Sequence, residues 1–223
     1  MKSIILFSGG LDSTVLLAHA LERDCTPILI SLDYHQKNRI ELECATKIAK
    51  KYNVEHRIIA IDSSVFKKSS LVDPELEAPK KESIGIPNTY VPARNTIFLA
   101  FALGFAEIED AAEIHIGVNK LDHTGYPDCR PEYITAFQNL AQYATAQAVQ
   151  GATPRIVTPL MNMDKADIIR LGKQLKAPLS DSWSCYSPHN NLHCGECDSC
   201  RLRKNGFASA NVTDLTIYSK ITS

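Results

Sequence analysis

Short apolar runs alternate with longer stretches of helical composition along this chain, and few folds accommodate that order. Ser3–Phe7 (SIILF), Pro27–Leu32 (PILISL), Glu55–Ile61 (EHRIIAI), Glu113–Val118 and Arg155–Thr158 read as strands. Ser13–Arg23, Arg39–Tyr52, Arg94–Ile108, Pro131–Val149 and Asp164–Leu175 read as helices, with Pro131 in a first turn and Asp164 as an N-cap. Strands that each hand over to a helix predict an α/β fold, a five-stranded parallel Rossmann-like sheet covered on both faces. On such sheets ligands bind beyond the carboxyl ends of the strands. The rhythm breaks between about 63 and 90, where Pro74, Pro79, Gly85, Pro87 and the charged run Lys80–Glu82 mark an irregular insertion. The expected division is a nucleotide-binding domain over 1–181 and a small metal-binding region over 182–223.

Charge and apolar run length exclude whole classes of function. The chain has 223 residues, with 24 Lys and Arg against 25 Asp and Glu. A net charge of −1 gives no basic excess for a dedicated nucleic-acid binder. The longest apolar stretch, Ile97–Ala106, is far short of the ~20 residues a membrane span needs. The opening MKSIILFSGG is too short in apolar residues for a secretion signal. The expectation is a cytoplasmic protein with no membrane and no nucleic-acid partner. Its seven cysteines should then be thiols or metal ligands rather than disulfides.

Ser8-Gly9-Gly10-Leu11-Asp12-Ser13 stands where the first strand meets the first helix. Paired glycines let the backbone turn sharply and approach a ligand, and the helix start offers unpaired N–H groups to an anion. The hydroxyls of Ser8, Ser13 and Thr14 are further donors. Asp12 repels phosphate, so it either orders the loop or holds Mg²⁺ beside it. Neither GxxxxGK[ST] nor GxGxxG is present. The whole SGGxDS string after an opening strand resembles the signature of the ATP pyrophosphatase (PP-loop) family, whose members activate substrates by adenylation. Phe7, Ser8, Gly9, Gly10, Leu11, Asp12, Ser13, Thr14, Val15, Leu16 and Leu17 are the expected ATP-binding span.

Cys185, Cys194, Cys197 and Cys200 follow the spacing C-x8-C-x2-C-x2-C. Four thiolates at such intervals can surround one Zn²⁺ tetrahedrally, and a site with four sulfurs has no open position for water. A structural Zn²⁺ that pins the tail to the main domain is expected. His189 and His193 are rival ligands. Arg201, Arg203 and Lys204 would partly offset the cluster's charge.

Further motifs narrow the resemblance to the QueC-type 7-cyano-7-deazaguanine synthases within the PP-loop group. They are RIELECA (Arg39–Ala45), Val91-Pro92-Ala93-Arg94-Asn95, Gly117-Val118-Asn119, Gly125-Tyr126-Pro127-Asp128-Cys129-Arg130-Pro131-Glu132, Thr158-Pro159-Leu160 and Lys165-Ala166. Two departures stand out. Ala93 replaces the family's usual glycine, which suits alanine only if φ is negative there. Tyr34-His35-Gln36-Lys37-Asn38 replaces a YGQRH-like string. The resemblance implies a HUP-type fold, a homodimer, and an ATP-dependent carbon–nitrogen ligase. Its reaction would turn 7-carboxy-7-deazaguanine and ammonia into the nitrile preQ0 in queuosine biosynthesis.

The chemistry of such a reaction is largely positioning and charge neutralisation. Asp12, Arg94 and Lys165 are the expected catalytic residues. Lys165 would stabilise the transferring phosphate, and Arg94 would hold either phosphate or the substrate carboxylate. Asp122, Tyr126, Asp128 and Arg130 form the expected base-binding set, with Asp128 accepting from the ring and amine N–H groups and Arg130 either touching the base or orienting Asp128. Cys129 reads as a buried thiol, or as a nucleophile if the chain were a thiolase. Cleavage of ATP at the α position is what the resemblance favours.

Overall fold

The computed structural model describes residues 1–36, 39–62, 66, 69–73, 75–76 and 85–219. Lys37, Asn38 and, from the insertion, Pro74, Pro79 and the Lys80–Glu82 run lie outside them. The elements are β1 (Lys2–Leu6), α1 (Leu11–Glu22), β2 (Thr26–Asp33), α2 (Ile40–Tyr52), β3 (Glu55–Ala60), α3 (Arg94–Ile108), β4 (Glu113–His115), α4 (Asp122–Gly125), α5 (Pro131–Ala144), α6 (Ala146–Val149), β5 (Arg155–Val157), α7 (Lys165–Gln174) and α8 (Asp198–Ala210). The strands form one sheet in the order β3-β2-β1-β4-β5. Every pairing is parallel, with Ile4 opposite Ile28 on one side and Ile114 on the other. The chain runs outward through β2 and β3 and then crosses back to β4. The topological switch therefore falls between β1 and β4, where the loops after those strands part.

Side-chain alternation along each strand feeds two cores. Ile4, Ile30 and Ile114 pack with Leu99, Ala102 and Phe137 of α3 and α5. Ile5, Phe7 and Leu29 pack with Val15, Leu16, Ile48 and Ile168 of α1, α2 and α7. Full burial of each such side chain contributes roughly 1.5–3 kcal/mol. At the end of the sheet away from the switch, the buried Glu113 carboxylate is held by Arg155, by Arg23 at 3.4 Å and by His115 at 2.8 Å. Among the described residues no helix is long and apolar enough to cross a membrane.

Four local expectations need correction. The helix expected over 131–149 breaks at Thr145, whose φ of −135° and ψ of 155° are extended; its hydroxyl accepts from the Ala148 N–H and so starts α6. A threonine that offers its own cap competes with helix continuation. β4 stops at His115 and β5 at Val157, because only the Ile116 amide still finds a strand partner, the Val157 carbonyl. The tail carries a helix, α8, that its Ser, Asn and Gly content conceals. It forms because Gly206 lets it press on α7: a Cβ there would stand 2.6 Å from Lys165 Cγ.

Ala93 is the fourth. It has φ 52° and ψ 25°, left-handed rather than the negative φ that alanine prefers. The turn into α3 sets this conformation, and an L-residue there is strained by roughly 1–2 kcal/mol. Ala93→Gly is expected to raise unfolding free energy by about 0.5–1 kcal/mol, after the greater freedom of glycine in the unfolded chain is offset. A urea midpoint unchanged or lowered by the substitution would contradict this.

Candidate active site

β1 delivers the glycine loop to the switch point. Gly9 has φ +80°, and a Cβ on it would lie 2.4 Å from the Glu41 carbonyl oxygen and 2.6 Å from the Ala45 nitrogen. Only glycine lets the loop lie flush on α2. The Gly9 carbonyl accepts from the Trp183 N–H at 2.9 Å, so the tail supports the loop from outside. The Ser13 and Thr14 hydroxyls donate to the Gly10 carbonyl at 3.1 and 2.8 Å. Those protons shape the loop and are not offered outward. What remains for an anion is the first turn of α1. The amides of Leu11, Asp12 and Ser13 have no carbonyl one turn back within the helix, and the helix dipole reinforces them.

The loop forms one wall of a cavity of about 560 Å³, also lined by Tyr34, Glu41, Arg94, Asn119, Asp122, Tyr126, Lys165 and Tyr186. That size suits a small-molecule site. Val15, Leu16 and Leu17, part of the expected ATP span, are wholly buried and do not line it. They anchor α1 to the sheet behind the loop.

Asp12 and Lys165 meet across the mouth. Lys165 Nζ donates to both Asp12 oxygens at 2.7 and 2.8 Å, and Asn119 Nδ2 donates to Oδ2 at 2.9 Å. Asp12 thus enters the loop with its charge balanced, and Lys165, the first residue of α7, lines the cavity beside the loop. Asn119 belongs to the Gly-Val-Asn motif, but nothing in the linear chain assigns it a role. Asp122 accepts from the Asn119 N–H at 3.1 Å. Burial, and then the nearby Asp12 charge, push its carboxyl up to about 6, with Lys165 opposing.

A carboxyl whose folded pKa is raised weakens the fold wherever it must ionise. For Asp122 that penalty is present above about pH 6 and fades as pH falls toward 4. Asp122→Asn keeps an oxygen for the Asn119 amide. It is expected to stabilise the protein by about 2 kcal/mol at pH 7.5, since a tenfold change in proton affinity corresponds to ~1.4 kcal/mol, and by nothing at pH 4. Thermal melts at the two pH values test this, and equal gains at both would refute it.

The far side of the cavity is aromatic and charged. Arg94 opens α3 and interacts with the Tyr34 hydroxyl, and its guanidinium lies 5.9 Å from the Phe98 ring centre. Tyr126 shares a 2.8 Å hydrogen bond with Thr89. Glu41, in the first turn of α2, lines the same cavity as Arg94 and Tyr186; burial pushes its carboxyl up to about 7 while the Arg94 charge pulls the other way. Sequence reasoning missed Glu41, which lies inside the RIELECA string; with Glu43 beside it in the same first turn, no local pattern marks it out. Two members of the expected base-binding set are elsewhere. Asp128 is buried under α3, accepting from the Asn95 N–H at 2.9 Å. Arg130 is exposed, with Nε donating to the His123 carbonyl at 3.2 Å. Neither lines the cavity. Cys129 does line it, with burial pushing its thiol up to about 12, which suits an inert thiol.

The four tail cysteines are all buried, and their sulfurs lie within 4.8 Å of one another. Cys194 and Cys200 sulfurs are 4.0 Å apart, close to the ~3.8 Å edge of a tetrahedron with Zn–S bonds of about 2.3 Å. Backbone N–H groups of Cys194, Glu196 and Cys197 point at the sulfurs from 3.2, 3.4 and 3.3 Å. This donor set fits Zn²⁺. His193 is not a rival ligand, because its Nε2 accepts from the Ser184 N–H at 3.1 Å. Arg203 is buried too. It donates to Ser182 Oγ, Ser184 Oγ and the Leu179 carbonyl, tying α8 to the segment that reaches Gly9.

Comparison with known proteins adds a consistent picture. The family profile described as "Queuosine biosynthesis protein QueC" matches residues 2–211. The chain is 48% identical over 219 residues to a 7-cyano-7-deazaguanine synthase of Nitrosococcus oceani, covering 97% of this chain and 98% of that one. It is 46% identical over 224 residues to the 7-cyano-7-deazaguanine synthase of Nostoc punctiforme, covering 98% and 100%. Among solved structures, NMN synthetase from Francisella tularensis superposes with a TM-score of 0.51 at 16% identity, covering 95% of this chain and 77% of that one, and so shares the fold.

Proposed function

The chain belongs to the QueC family and is a carbon–nitrogen ligase of queuosine biosynthesis, and on that premise we propose how it makes 7-cyano-7-deazaguanine from 7-carboxy-7-deazaguanine, ammonia and ATP. The observation that carries the reading is the join between the α1 amides and the Lys165–Asp12 pair at the mouth of the cavity. A carboxylate is a poor electrophile because oxide is a poor leaving group. Transfer of a nucleotidyl group to its oxygen removes that obstacle. In the proposed sequence the substrate carboxylate attacks the α-phosphorus of ATP and pyrophosphate leaves. Ammonia attacks the activated carbonyl, AMP leaves and a proton is lost, giving the amide. The amide oxygen then attacks the α-phosphorus of a second ATP, again releasing pyrophosphate, and departs as AMP while the nitrogen gives up its two protons, giving the nitrile. One site serves both activations, since each acts on an oxygen of the same carbon.

In this reading residues 8–13 cradle the polyphosphate. Lys165 shares its charge between Asp12 and the phosphorus in transfer, a preorganised electrostatic role. Asp122 offers the carboxylate for Mg²⁺, which would supply further neutralisation. Zn²⁺ on the four cysteines holds the tail over the loop. A homodimer belongs to the same proposal, and the exposed Ile108, Leu140, Tyr143 and Val149 on α3, α5 and α6 support it. Incubation of zinc-replete protein with ATP, ammonium and the carboxy base, followed by mass spectrometry, tests the function. The amide and then the nitrile should appear, and an unchanged acid would overturn it.

A further inference from the structure

We propose that Glu41 and Arg94 together read the hydrogen-bonding edge of the deazaguanine ring. Glu41 accepts from the ring N–H and the exocyclic amine, while Arg94 donates to the neighbouring ring carbonyl oxygen. This rests on the function proposed above and adds a specificity pair to it.

The two residues start different helices, α2 and α3, and line one cavity. Their charges are opposite, yet among the described residues no ion pair within 4.0 Å joins them. An acceptor and a donor that line one cavity without pairing with each other leave room for a ligand edge that supplies the complements of both. A guanine-type edge does so: it presents a carbonyl oxygen, a ring N–H and an amine in a row, and enzymes that bind single bases read this edge while stacking the ring on aromatic side chains. Tyr34, Phe98, Tyr126 and Tyr186 supply the ring faces around the pair. An adenine-type edge places a donor where Arg94 needs an acceptor, and it turns a ring-nitrogen lone pair and a C–H toward Glu41, leaving that carboxylate with neither N–H. Leaving a buried polar group unpaired is what gives such a site its selectivity.

The other carboxylates in the region are committed elsewhere. Asp12 is held by Lys165, Asp122 stands on that same phosphate side, and Asp128 is taken by the Asn95 amide. An ammonium ion at Glu41 is disfavoured by the adjacent Arg94.

The test compares wild type and Glu41→Gln, both full-length and zinc-replete, on 7-carboxy-7-deazaguanine and on its analogue lacking the exocyclic amine. For wild type, kcat/KM for the analogue should be lower on the order of 100-fold. Glu41→Gln should lose about as much on the parent acid, mainly through KM, keep its KM for ATP, and treat the two acids alike within about threefold. Persistence of the wild-type discrimination in Glu41→Gln would overturn the assignment. So would a loss confined to kcat. If wild type itself turns over both acids equally, the pairing is wrong whether or not the variant folds. Absence of any turnover of the parent acid by wild type would instead remove the function proposed above, and this inference with it.

Discussion

Cys197→Ser protein is expected to emerge without stoichiometric zinc, to melt well below the wild type, and to lose turnover. Structural Zn²⁺ on thiolates contributes ~10–16 kcal/mol to the folding of the segment that carries it. That is as large as the net stability of a whole domain, about 5–15 kcal/mol. The loss would not stay local. The cysteine cluster packs against Ile40 and Cys44 of α2, and Trp183 at its edge donates to the Gly9 carbonyl. Phe207 and Ala210 of α8 belong to the same core as α1 and α7. Release of the tail therefore uncovers apolar surface and withdraws the glycine loop's outer support. Metal analysis and a thermal melt decide the matter. Full zinc occupancy with an unchanged melting temperature would show that these sulfurs do not hold the metal.

Lys165→Ala should lower kcat/KM by about 10³, with zinc content and overall fold kept. Two effects add. A preorganised cation at the developing charge contributes roughly 3–4 kcal/mol to transition-state stabilisation. Its removal also leaves Asp12 with only the Asn119 amide, as an uncompensated anion facing phosphate. The second effect can be separated from the first. Asp12→Asn in the Lys165→Ala background removes the repulsion, so the double variant should recover about tenfold over Lys165→Ala alone. A single variant within fivefold of wild type would dismiss Lys165 from the chemistry. A double variant no better than the single would dismiss the repulsion.

Much of this molecule is legible in the linear chain, and particular residues show why. SIILF reads as a buried strand because an uninterrupted apolar run has few other fates. The Gly9–Gly10 pair marks a tight turn, since only glycine enters a positive φ without penalty. Asp164 reads as a cap, and its side chain does accept from the Asp167 N–H at 2.9 Å. The cysteine spacing marks four thiols able to hold a metal, and their sulfurs lie within 4.8 Å of one another. In each case the information is local: a period, a turn propensity or a ligand interval lies within a few residues of what it specifies.

Contacts between distant residues account for the rest. Lys165 reaches Asp12 across 153 positions, and no local pattern encodes that distance. GYPDCRPE is recognisable as a unit, but packing under α3 turns Asp128 to the Asn95 amide and leaves Arg130 at the surface, while Glu41 and Arg94 come to the cavity from separate helices. Ala93 is pressed into a left-handed turn by the entry into α3, against its own preference. Most strands and helices, the glycine loop and the set of four thiols follow from the order of residues alone, because local sterics and hydrophobic period act within one element. Which charged side chains meet is settled in the folded chain and nowhere earlier, because it depends on how helices anchored to one sheet, on the same face or on opposite faces, bring their first turns to the same edge.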